Sequence, residues 1–165
     1  MDIIKLTFSG TNHDIMARIV RVLAVGGVIV YPIDTVYGLG ALISCQSAVE
    51  KIKHIKGRYQ NKPLSILVRD LPMAKQCSQL PAMANKYLPG PYTVLVKKKS
   101  LVPEWISSSN LVGIRCPKYW FTSQLMQYIQ EPIVTTSANL SGHPPVYSVE
   151  ELLKQLGQVG CLQRL

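Results

Sequence analysis

Val28-Ile29-Val30-Tyr31-Pro32-Ile33-Asp34-Thr35-Val36-Tyr37-Gly38-Leu39-Gly40 runs from an unbroken apolar tetrapeptide into a polar loop, and from there into a second apolar run. Val28–Tyr31, closed by Pro32, reads as a strand buried on both faces. A polar cluster attached to the end of such a strand is the layout by which α/β sheets gather ligands outside their strand ends. Three further segments repeat it: Lys56-Gly57-Arg58 with Lys62-Pro63-Leu64, Val112-Gly113-Ile114-Arg115-Cys116-Pro117, and Thr135-Thr136-Ser137-Ala138-Asn139-Leu140-Ser141-Gly142.

The segments between them alternate in kind. Ile3–Phe8 alternates polar and apolar residues and reads as a short strand. Thr11 or Asn12 is placed to cap a helix with Ile15, Ile19, Val22 and Leu23 on one face, ended by Gly26-Gly27. Ser44 or Ser47 is placed to cap the next, with Val49, Ile52 and Ile55 inward and Lys51, Lys53 and Lys56 mostly avoiding that side before Gly57 stops it. Leu64–Val68 is a second buried strand, and short helices are expected over 72–78 and 81–87. Pro89-Gly90-Pro91 punctuates the approach to a strand at Thr93–Lys97. Strands at Leu111–Arg115 and Ile133–Thr136 enclose a helix near 122–129, and Val149–Leu156 is a last helix. This alternation implies an α/β fold with a mixed sheet, and 165 residues without linker or repeat imply a single domain, 1–165.

Composition narrows the function. Apolar residues make up 47% of the chain, and no apolar run approaches the roughly 18–20 residues of a membrane helix. No signal peptide is visible, so a soluble cytoplasmic protein with no membrane partner is expected. Cys45, Cys77, Cys116 and Cys161 form no C-x-x-C pair and read as reduced, mostly buried thiols. The net charge of +9 arises entirely between Thr35 and Pro103, where eleven cations meet Glu50 and Asp70. Six cations and no anion lie from Lys51 to Arg69, a balance that favours a phosphate-bearing partner, nucleotide or nucleic acid.

The chain has no P-loop motif and no G-x-S-x-G, no paired carboxylates suited to glycosidase chemistry, and no residues at metal-ligand spacing, so no protein-held metal is expected. Gly38-Leu39-Gly40 is half of a dinucleotide fingerprint and is weak on its own. Lys56 and Arg58 flanking Gly57 form a compact phosphate clamp. Arg115, ending a strand before Cys-Pro, suits a carboxylate gripped by two parallel bonds. Ser137 and Asn139 add short hydrogen-bonding groups. Together the clusters describe a cavity for an anionic ligand with a separate carboxylate anchor.

Those segments, with Leu88-Pro89-Gly90-Pro91-Tyr92-Thr93, stand in the order and spacing of the YrdC-like threonylcarbamoyl-adenylate synthases, a family the sequence resembles over roughly residues 15–150. The resemblance implies a twisted mixed sheet flanked by helices around a large, positively charged cavity. It implies a nucleotidyltransferase that joins L-threonine, bicarbonate and ATP into threonylcarbamoyl-AMP and pyrophosphate. Magnesium would be held through the triphosphate, and partner proteins would pass the threonylcarbamoyl group to tRNA. By similarity Lys56 and Arg58, with Lys62 beside them, hold ATP phosphates and Asn139 contacts the nucleotide. Arg115 and Ser137 bind threonine, and Thr35 lines the same pocket. Ile33 stands where the family usually carries threonine. The chain ends at Leu165 before the Gly-rich loop and strands with which family members continue, so the resemblance is to a short form. A second expectation on the same fold is an RNA-binding or regulatory module, catalytically weak, taking tRNA or other RNA, double-stranded RNA included.

Overall fold

The computed structural model describes residues 3–4, 12–57 and 62–157. Their elements follow in the order α1 (His13–Ala24), β1 (Ile29–Pro32), β2 (Tyr37–Gly40), α2 (Gln46–Ile55), β3 (Ser65–Leu67), α3 (Leu71–Cys77), a 3-10 helix (Ala82–Lys86), β4 (Thr93–Lys97), β5 (Leu111–Arg115), α4 (Trp120–Leu125), β6 (Ile133–Ser137) and α5 (Val149–Leu156). Six strands form one sheet in the order β1-β2-β6-β3-β5-β4. β3 and β5 are parallel and every other neighbouring pair is antiparallel, so the sheet is mixed, as the alternation implied.

The centre of the sheet is its most apolar part. Ile66 and Leu67 on β3 and Ile133 and Val134 on β6 are fully buried, as are Val112 and Ile114 on β5. Val49, Ile52 and Ile55 bring the inner face of α2 onto the same core. α5 is capped by Ser148, whose hydroxyl accepts from the Glu151 amide at 3.1 Å, while the Glu151 carboxylate accepts from the Tyr147 amide at 2.9 Å. Asp70 caps α3 by accepting from the Met73 amide at 2.8 Å, and that bond holds its carboxyl below the usual range. Burial pushes the Cys77 thiol up to about 11 and raises that of Cys116, while Cys45 is half-buried and its thiol is lowered by the Ser47 hydroxyl. Cys161 lies outside the described residues.

The first hairpin corrects the reading of residues 28–40. β1 is an edge strand paired only with β2, and Ile29, Val30 and Pro32 are half-buried; its one buried side chain is Tyr31. The presumed loop tightens to residues 33–36, and Tyr37–Gly40 is itself a strand. Gly38 and Gly40 therefore serve packing, not a dinucleotide. A Cβ at Gly40 would lie 2.7 Å from Tyr31 Cε1, and one at Gly38 would lie 3.3 Å from its Cζ. The phenol ring covers both glycines, stacks on Phe121 at 6.3 Å, and donates its hydroxyl to Thr135 Oγ1 at 2.9 Å. Burial raises the Tyr31 phenol far above its ordinary value.

Other expectations shift locally. Cys45, not a serine, stands at the N-cap of α2, because Ser44 is drawn to Glu131 through its amide at 3.1 Å and its hydroxyl at 2.8 Å. Asn12 occupies the N-cap of α1 through its carbonyl, which accepts from Met16. α4 begins at Trp120 and ends at Leu125, earlier at both ends than expected. Gly26 and Gly57 end their helices with φ of +76° and +63°. The expected strand Ile3–Phe8 lies outside the described residues beyond Ile4.

Gly40→Ala drives a methyl into the Tyr31 ring and is expected to cost about 1–3 kcal/mol, the range of overpacked cores. Urea unfolding measures this, and an unchanged midpoint would mean that the ring moves aside freely.

Candidate functional site

The cavity arises because one strand outruns its neighbour. β3 pairs with β6 from Leu67↔Ile133 to Ser65↔Thr135 and stops there, while β6 continues along β2 through Thr136 and Ser137. Pro63 has no N–H to extend the ladder, and the Leu64 amide turns away to the Ile106 carbonyl at 2.9 Å. The opening is a cavity of about 220 Å³ between Ser65, Thr93, Arg115 and the Thr135–Ser137 end of β6, with Ile33, Val36 and Pro63 as its apolar wall. Gly113 keeps it open: a Cβ there would strike Ser65 Oγ and approach Thr93 Cγ2 to 3.0 Å.

Arg115 supplies the charged group among the lining described residues. Its Nη2 donates to Asp34 Oδ1 and, at 2.9 Å, to Thr35 Oγ1. Two strands, β6 and β3, lie between β2 and the strand that carries Arg115. At about 4.8 Å per strand, β2 and β5 stand about 14 Å apart. The long guanidinium arm and the tip of the β1–β2 hairpin therefore meet across the cavity. Arg115 Nε is buried and has no hydrogen-bond partner among the described residues. Nη2 is thus fixed on the hairpin tip, and a guanidinium that lines the cavity also carries a buried donor that is costly to leave unmet. A guanidinium held in this way suits a carboxylate partner.

Beyond Ser137 the chain turns around a buried lysine. Lys56 is 2% exposed, and its ammonium donates to the Ser137 carbonyl at 2.5 Å, the Asn139 carbonyl at 2.8 Å and Asn139 Oδ1 at 3.0 Å, with Ser137 Oγ at 3.4 Å. Asn139 Oδ1 also accepts from the Ser137 hydroxyl at 2.5 Å, and its Nδ2 donates to the His143 carbonyl at 2.6 Å. Lys56 thus departs from the expected solvent side of α2. It lies seven residues from Val49 and four from Ile52, which places it on the same inward face.

The structure brings Arg115 and Ser137 to one cavity and sets Lys56 and Asn139 directly behind its Ser137 wall, while Thr35 is exposed on the hairpin tip, bonded to Arg115 but not among the lining residues. Lys62 is exposed beside Pro63, and Arg58 lies outside the described residues. Other cations of the basic run have partners within the chain: Lys53 with Glu50, Arg69 with Asp70, and Lys51 on the Gly26 carbonyl. Asp34, Ser65 and Thr93 were given no role from sequence. A polar first residue ahead of an apolar run is the signal that marks Ser65 and Thr93. Among the described residues no cluster of three His, Cys, Asp or Glu could hold a metal, and no helix is long and apolar enough to cross a membrane.

A family model described as telomere recombination, Sua5/YciO/YrdC, matches residues 21–161. The chain belongs to the Sua5/YciO/YrdC family. A human member named threonylcarbamoyl-AMP synthase is 35% identical over 133 residues, which are 78% of this chain and 48% of that protein. The chain thus spans about half the length of this relative. The structure of Pyrococcus abyssi Sua5 complexed with L-threonine matches with a TM-score of 0.78 at 28% identity, covering 85% of this chain and 43% of that one. A full-length HypF in its phosphate- and nucleotide-bound form matches with a TM-score of 0.78 at 25% identity, covering 86% and 23%. The mixed open sheet with flanking helices is therefore the Sua5/YciO/HypF-like architecture.

Asp34→Asn removes the charge that holds Arg115 across the cavity. Unfolding stability is expected to fall by about 1.5–3 kcal/mol, the scale of a hydrogen bond to a charged group. Denaturant titration reads this, and a change below about 0.5 kcal/mol would class the pair with solvent-screened surface bridges.

Proposed function

We propose that this chain is an L-threonylcarbamoyladenylate synthase, which forms threonylcarbamoyl-AMP and pyrophosphate from L-threonine, bicarbonate and ATP for tRNA modification. The observation that carries the reading is Arg115, whose Nη2 is held by Asp34 and Thr35 while the residue lines a cavity rich in hydroxyls. The human relative's name and the L-threonine complex of P. abyssi Sua5 support it.

In this reading Arg115 takes the threonine carboxylate, with Ser137 and Thr35 beside it. The threonine amine and bicarbonate combine to a carbamate with loss of water. A carbamate oxygen then attacks the α-phosphorus of ATP, and pyrophosphate leaves with the bonding pair of the broken P–O bond. Carbamate is a weak nucleophile, so in-line positioning and charge neutralisation carry the catalysis and no covalent nucleophile is needed. Arg58, Lys62 and Asn139 serve the nucleotide side, with Lys56 holding the corner that carries Asn139. Asp34 is committed to Arg115 and no carboxylate is among the described residues that line the cavity, which suits an ion carried by the triphosphate and water. The product passes to tRNA threonylcarbamoyl-transfer proteins, and the cytoplasm is the compartment this implies.

Pyrophosphate release from ATP and bicarbonate is expected to depend on L-threonine and to be weaker with L-serine, whose missing methyl leaves the contact with buried Ile33 unmade. Arg115→Ala is expected to raise the threonine KM by roughly tenfold or more and the ATP KM by far less, since a charge-assisted bond is lost on one substrate only. Equal effects on both would remove Arg115 from the threonine site. No release, with RNA bound at a steep negative salt slope, would favour an RNA-binding module instead.

A further inference from the structure

The basic cluster at the end of α2 reads from sequence as one phosphate clamp of two cations around a glycine, yet the structure gives the lysine another task. An ammonium has three N–H donors, and Lys56 meets three acceptors within 3.0 Å: the Ser137 carbonyl, the Asn139 carbonyl and Asn139 Oδ1. They are oxygens of one chain corner, directly after β6. The main chain adds a fourth bond, because the Ser141 amide donates to the Lys56 carbonyl at 2.9 Å. The lysine therefore holds the 137–141 corner with both its side chain and its backbone. Two carbonyls turned toward the same point repel one another unless a cation lies between them, and a buried ammonium needs such dipoles in place of water.

We infer that Lys56 is a positioning residue: its ammonium sets the Ser137–Asn139 corner that forms one wall of the cavity. Ser137 is the residue on which the two roles meet, since its carbonyl is in the lysine's cage while the residue lines the cavity. This deepens the synthase reading and rests on it for the identity of the ligand, but not for the contact itself.

The test compares the full chain with Lys56→Met, which keeps length and removes the charge. Amide hydrogen exchange over residues 138–141 is expected to quicken about tenfold or more, while the β5 amides stay protected. L-threonine binding without nucleotide, read by calorimetry, is expected to weaken about tenfold, because the wall loosens. Unchanged exchange at the corner would overturn the inference, as would unchanged threonine affinity together with weakened binding of inorganic triphosphate, the mark of a plain phosphate anchor. Should Lys56→Met fail to fold, a crystal structure of the unsubstituted chain with a non-hydrolysable ATP analogue decides. Lys56 Nζ remaining on the Ser137 and Asn139 oxygens supports the inference, and its transfer to a phosphate oxygen overturns it. Failure of the synthase reading is recognised separately: the unsubstituted chain then binds neither threonine nor nucleotide, and the exchange comparison still decides the role of Lys56.

Discussion

The bond between Arg115 and Asp34 joins two parts of the sheet that β6 and β3 hold apart, and the cavity lies beneath it. Both side chains are largely withdrawn from water, at 13% and 14% exposure. Either charge left alone there would be costly, so each fixes the other's place. At the hairpin tip the pair is joined by the Thr35 hydroxyl on the same guanidinium and by the buried Ile33, while the β1–β2 ladder, the Tyr31 ring over Gly38 and Gly40, and the Tyr31 hydroxyl on Thr135 hold its base. What the pair achieves is a guanidinium set in orientation before any ligand arrives, and pre-set orientation is the main means by which a site without a covalent nucleophile can accelerate a reaction.

A second constraint supports the opposite wall. From Ser137 onward the chain is tied to three elements at once: to α2 through Lys56, to β2 through the Ala138 amide on the Tyr37 carbonyl at 2.8 Å, and to α5 through the Leu140 amide on Gln155 Oε1 at 2.8 Å. Polar side chains at this corner thus satisfy backbone groups that no strand partner reaches. The cavity is a gap in the ladder, and buried polar bonds on either side keep it from closing or collapsing.

How far the sequence alone reached follows from what each signal measures. β4, β5 and α5 fall where the sequence puts them, α5 because burial on one face sets its period and β5 because a short apolar run marks a strand buried on both faces. β2 escaped because two of its four residues are glycines, whose role as a bed for Tyr31 depends on a neighbouring strand. Val28–Tyr31 looked like an inner strand, yet apolar composition does not say which strand stands at an edge. Lys56 was set on the solvent side by its charge, although its spacing from Val49 and Ile52 places it inward; here the three-dimensional acceptors outweighed the residue type. Of the residues that line the cavity, Arg115 and Ser137 were within reach because each ends a strand. Asp34 was not assigned, because its meaning lies in a partner 81 positions away.

The central claim is that Arg115 receives a substrate carboxylate. Nitrogen-15 NMR of the Arg115 Nε–H, titrated with L-threonine and then with L-threoninol, which lacks the carboxylate, addresses it most directly. The account predicts that threonine moves the resonance and slows its exchange with water while threoninol does neither. An equal response to both, or none to threonine, would contradict it.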